Sequence, residues 1–152
     1  MPLLDYTTTV PASRTIGQVH ALLVEAGARQ IMTEYNATST PTAIAFAVET
    51  GYGLRRFVLP VKAERVHAVL KRDRKVAPRY KSPEHAERVA WRIAKDWLEA
   101  QLAIIRTEMV TLDQVMLPYM VADSGHTVYE LYRDQQLALM PGSDSTGVSA
   151  DA

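Results

Sequence analysis

The chain has 152 residues, 47% of them hydrophobic, which suffices for one domain that buries most of its unfolded surface and leaves too little for a second independent core. It has no cysteine, so disulfides, thiol nucleophiles, zinc-thiolate sites and iron-sulfur clusters are excluded and a reducing cytosol fits. Seventeen Lys/Arg balance seventeen Asp/Glu, which argues against a uniformly basic protein, and the absence of a long apolar run or a signal-like N-terminus predicts a soluble, cytoplasmic protein with no membrane partner.

The opening YTTTV, closed by Pro11, suits a short strand or extended arm. SRTIGQVHALLVEAG then reads as an amphipathic helix. Thr15 and Gln18 have capping-box spacing, Ile16, Val19, Leu22, Leu23 and Ala26 form an apolar stripe, and Gly27 is placed to end it. The period changes to two in ARQIMTEYN and, beyond the turn-rich NATSTPT, in TAIAFAVET, where Ile44, Phe46 and Val48 alternate with alanines. A GYG turn leads to LRRFVLPV and completes a three-stranded antiparallel meander.

KAERVHAVLKRDR is a second helix with Ala63, Val66, Val69 and Leu70 on one stripe. Ser82-Pro83-Glu84 is a helix start, and the helix it opens runs to about Met109. That helix is apolar on two sides: Ala86, Ala90, Ile93, Trp97, Ala100 and Ile104 on one, and Trp91, Ala94, Leu98, Leu102 and Ile105 on the other. Such a helix needs a central position or a subunit interface, with Trp91, Leu98, Leu102 and Ile105 as the interface candidates. Thr111 and Gln114 open a short helix ended at Pro118. VYELYRDQQLALM is a last one, with Val128, Leu131, Tyr132 and Leu139 inward, and residues 141–152 have the composition of a disordered tail. The predicted class is α+β: an α-β-β-β-α order followed by a long helix and two short ones, in a single domain over residues 1–140.

The charges are not evenly spread. From Arg55 to Lys95 there are thirteen Lys/Arg against four acids, a surplus of nine that the rest of the chain balances. The densest stretch, KRDRKVAPRYK over residues 71–81, holds six bases and one acid. Lys71, Arg72, Arg74 and Lys75 fall at or just beyond a helix C-terminus, where basic residues complement the helix dipole at about 0.3 to 1 kcal/mol each. Arg79, Tyr80 and Lys81 have no such explanation. In an extended loop, Arg79 and Lys81 suit phosphate contact and Tyr80 suits stacking on an unpaired base. Arg55, Arg56, Arg88 and Arg92 extend the patch if the fold assembles them.

Searches for other chemistry return little. His20, His67, His85 and His126 are scattered, and Glu64 with His67 has metal-site spacing but lacks the matching pair from another helix. No Gly-x-Ser-x-Gly elbow or phosphate-binding glycine loop occurs, and Asp96, Glu99, Glu108 and Asp113 read as exposed helix acids. Neither a catalytic residue, a metal site nor a cofactor is expected. Trp91, flanked by Arg88, Arg92 and Lys95, has some claim to a basic surface, although core or interface packing weighs more.

TIGQVHALLVEAGARQIMTEYN, the VLP ending the sheet and ERVAWRIAKDWLEAQLAII resemble uncharacterised small proteins of phages and prophages, a likeness that implies no activity. The element order is similar to that of double-stranded-RNA-binding domains, whose basic helix start is replaced here by KAERVHAV, and strand-annealing proteins also combine such a sheet with a helix. The expectation is a non-enzymatic phage-type protein that binds nucleic acid, single-stranded in preference, as an accessory to replication or recombination. The alternative is a protein-interaction module that modulates a host protein or self-assembles through the long helix.

Overall fold

The computed structural model describes residues 1–135 and 141–142. In chain order these form α1 (Ala12–Glu25), β1 (Ala28–Tyr35), β2 (Pro41–Thr50), β3 (Gly53–Pro60), α2 (Ala63–Arg72), a 3₁₀ turn at Pro78–Tyr80, α3 (Pro83–Arg106), α4 (Leu112–Met116), a second 3₁₀ turn at Leu117–Tyr119, and α5 (Val128–Gln135). The architecture is the expected α+β one, with an antiparallel sheet in the order β1-β2-β3. Leu139 and all of the 141–152 tail except Pro141 and Gly142 lie outside the described residues. No helix of the described residues is long and apolar enough to cross a membrane.

Short polar signals set most boundaries. Gly27, at φ +96°, closes α1, because only a residue without Cβ takes that turn cheaply. Asn36 Oδ1 gathers the amides of Thr38 and Thr40 and the Thr38 hydroxyl, which reverses the chain between β1 and β2. Ser82 caps α3 by accepting from the His85 amide, and Thr111 with Gln114 forms the expected reciprocal box on α4.

The start of α1 departs from its expected capping box. The helix opens four residues earlier, with Pro11 accepting from the amides of Arg14 and Thr15, and Thr15 is drawn wholly into the core with its hydroxyl unpartnered among the described residues. Proline's fixed φ suits this helix entry, so the box residues end up inside the helix. The N-terminal segment also departs from a strand: residues 3–8 form turns, with Asp5 at φ +60°, and Leu3 and Tyr6 pack against the core beneath α2. Tyr132 is turned outward against Tyr129, 46% exposed, because α5 buries Val128 and Leu131 only in part.

Helix α3 is central. Trp91 and Leu98, 0% and 1% exposed, join Val19 and Leu23 of α1 and Ile44, Phe46, Val48 and Phe57 of the sheet in the main core. Phe46 stacks on Phe57 across the β2–β3 pair at 5.3 Å. A second, smaller core of Leu70, Val76, Ala86 and Val89 lies between α2 and the first half of α3. These two cores cover the apolar sides of α3 over most of its length and bury Trp91 and Leu98 within their own chain, whereas Leu102 and Ile105 near its C-terminus stay half-buried and Ile104 is 38% exposed. Trp97 rests on the same core, with its ring edge-on to Tyr119 at 5.8 Å.

Candidate functional site

The basic stretch of residues 71–81 forms a ridge joining the end of α2 to the start of α3. It is not extended. Asp73 stops α2, and its Oδ1 accepts the Lys75 amide at 2.9 Å, which turns the chain back. Val76, 3% exposed, then plugs into the second core. The Pro78–Tyr80 turn follows, His67 Nε2 donates to the Lys81 carbonyl at 2.9 Å, and Ser82 starts α3. Each of these contacts fastens the backbone, so the exposed side chains of Lys71, Arg72, Arg74, Lys75 and Arg79 project from a fixed frame. Lys81 is half-buried beside them.

Tyr80 does not match the role its sequence position suggests. Its ring stands edge-on to Tyr6 at 5.6 Å and tilted to His85 at 5.2 Å, and the Arg79 guanidinium lies over it at 4.8 Å. With those approaches occupied and the residue half-buried, it fixes the ridge and offers no open platform for a base. His67 Nε2, of the Glu64 and His67 pair, is taken up by the Lys81 carbonyl, and among the described residues no three His, Asp or Glu come together as ligands.

The other predicted arginines fall in two groups. Arg92 Nη1 donates to Gln18 Oε1 at 2.6 Å and ties α3 to α1. Arg88 lies 3.4 Å from Nδ1 of His85, whose Nε2 donates to the Tyr6 carbonyl. Both arginines are half-buried and hold the N-terminal segment and α1 in place. Arg55 and Arg56 sit at the opposite end of β3 from α2, paired with Val48 and Ala47, and Arg56 is about 13 Å along the strand from Pro60. Arg55 and Arg56 thus lie away from the ridge, whereas Arg88 lies beside it through His85.

The ridge has an extension that the sequence reading passed over. Lys62, Arg65 and Arg72 are exposed at i, i+3 and i+10 along the start, first turn and end of α2, beside Lys71. The spacing of Lys62 and Arg65 was visible as a helical stripe, but both fall before the dense run. No base of the ridge is in a close ion pair: among the described residues the ion pairs within 4.0 Å are Lys95 with Asp96 and Glu99, and Arg133 with Asp134, none of them on the ridge.

Asp5 of the N-terminal segment faces Asp96 of α3, near Arg92 and Lys95. Burial first, then the Asp96 carboxyl, raises the pKa of Asp5 from 3.8 to about 6, against the opposing pull of Arg92 and Lys95. Two ionised carboxylates repel, whereas one proton between them lets them hydrogen-bond.

No family model matches the chain, and no similar curated protein or solved structure was found.

Proposed function

We propose that this protein binds nucleic acid through its phosphate backbone, without acting on it chemically, and that the α2–α3 ridge is the contact surface. The observation that carries this reading is the group of exposed Lys71, Arg72, Arg74, Lys75 and Arg79, held on a fastened loop with no carboxylate within ion-pair distance among the described residues. Cations held on a rigid frame without carboxylate partners neutralise phosphates, and the counterions this frees from the nucleic acid are the main source of affinity in sequence-independent binding. Lys62 and Arg65 lengthen the track along α2. Because Tyr80 is engaged, base stacking contributes little and contacts to the backbone dominate. A protein that holds the backbone without chemistry would serve replication or recombination as an accessory.

The test is fluorescence anisotropy with labelled single- and double-stranded oligonucleotides of roughly 20 nucleotides, titrated from about 50 mM salt upward. Binding that weakens steeply with salt and is abolished by Lys71→Glu with Lys75→Glu supports the reading. Absence of binding to both forms at the lowest salt, or binding indifferent to those reversals, refutes it.

A further inference from the structure

At the far end of α3 from the ridge lies a groove of the opposite character. Two adjoining cavities of about 470 and 480 Å³ share Ile105 and Leu112. Their apolar floor is Leu22 of α1, Leu102 and Ile105 of α3, and Leu112 of α4, all half-buried. Around it stand Glu25, Glu49, Glu99, Glu108 and Asp113, with Arg106 the one base lining either cavity among the described residues. Lys95 neutralises Glu99 in part, leaving the other acids without an ion pair within 4.0 Å among the described residues. Met109, 70% exposed, lies between the groove residues Glu108 and Val110.

We infer that this groove docks a basic amphipathic helix of another protein, its apolar stripe against the leucine and isoleucine floor and its Lys or Arg residues against the acidic rim. An apolar floor alone would accept many partners, and the rim selects the sign of charge. The stretch of α3 from Glu99 to Arg106 is about 12 Å long, which matches two turns of a docked helix. Two nearer occupants are ill-suited. The chain after Gln135, QLALMPGSDSTGVSADA, carries Asp144 and Asp151 and no Lys or Arg, so its charge is of the wrong sign. A second copy would offer its ridge, whose one aliphatic anchor, Val76, is already buried in its own core and cannot fill the floor. This site is independent of the nucleic-acid reading, since the ridge and the groove share no residue.

The probe is a peptide of roughly 18 residues with leucines at helical spacing and lysines elsewhere, compared with a scrambled peptide of the same composition and with a version carrying glutamate for lysine. Binding is followed by anisotropy and by amide shifts in a ¹⁵N spectrum of the full chain. The expected result is binding at least about tenfold tighter than either control, shifts centred on Leu22, Leu102, Ile105 and Leu112, and a loss of about tenfold with Glu25→Lys and Glu49→Lys. Both of those residues are exposed, so the double variant keeps the fold, and oligonucleotide binding at the other end stays unchanged. Equal binding of the scrambled or acidic peptide, shifts away from the groove, or a dimer in light scattering that the double variant dissociates would each overturn the inference.

Discussion

The imidazole of His85 on α3 donates to the carbonyl of Tyr6, 79 residues earlier, and so pins the N-terminal segment beneath the basic ridge. Both groups belong to the packing that also holds Tyr80. Replacing His85 with alanine leaves a carbonyl without its donor and opens space under the ridge. The expected cost is about 2 kcal/mol, read from urea unfolding, with faster hydrogen exchange at residues 3–8 before exchange rises elsewhere.

Asp5 makes stability depend on pH in a direction opposite to that of a salt-bridged carboxylate. Its folded pKa, about 6, exceeds the unfolded value of 3.8, so across that interval the folded chain holds a proton that the unfolded chain has lost. The stabilisation from this group is therefore full below about pH 4, falls as pH rises through about 6, and is gone above it. Asp5→Asn keeps a hydrogen bond to Asp96 without the charge. It flattens the profile between pH 4 and 7 and raises stability at pH 7, as measured by denaturant midpoints across that range.

Trp91 separates packing from function. Trp91→Ala removes the largest fully buried side chain and costs about 3 to 5 kcal/mol. Trp91→Phe loses less, about 1 to 2 kcal/mol, because it also removes an indole N–H that is buried without a partner among the described residues. Thermal unfolding of the two variants orders them, and a phenylalanine variant less stable than the alanine one contradicts this placement.

Val76 tests whether the frame matters as well as the charges. Val76→Ala leaves every base in place but removes about 2 kcal/mol of packing under the loop. Oligonucleotide affinity falls severalfold while the slope of log affinity against log salt is kept. Arg74→Ala does the converse and lowers that slope by about 0.7 to 0.9, the contribution of one phosphate contact. Arg56→Glu, at the other end of β3, changes neither.

Features governed by local chemistry were legible in the sequence. Gly27, Ser82-Pro83 and the Thr111 box end or start their helices because each acts on backbone groups a few residues away. Thr15 with Gln18 carried the same pattern and was overruled by burial of Thr15 and by the bond from Arg92, 74 residues distant from Gln18. Tyr80 was misplaced for a related reason: its partners Tyr6 and His85 come from segments whose approach no local period encodes. The two apolar sides of α3 correctly demanded two layers of cover, but a single helix cannot say whether its own chain supplies them. The acidic groove left no mark as a motif, since Glu25, Glu49 and Asp113 meet only after α1, the β2–β3 turn and α4 converge.

Helix α3, 24 residues and about 36 Å long, runs from the cationic ridge to the anionic groove. Its peptide dipoles point their positive end at the ridge and their negative end at the groove, so they add to the side-chain charges. Equal numbers of acids and bases thus conceal a large electric moment. Near neutral pH the molecule hardly migrates in a uniform field, but the field exerts a strong torque on it. Any highly charged surface it approaches rotates it into register before the first contact forms.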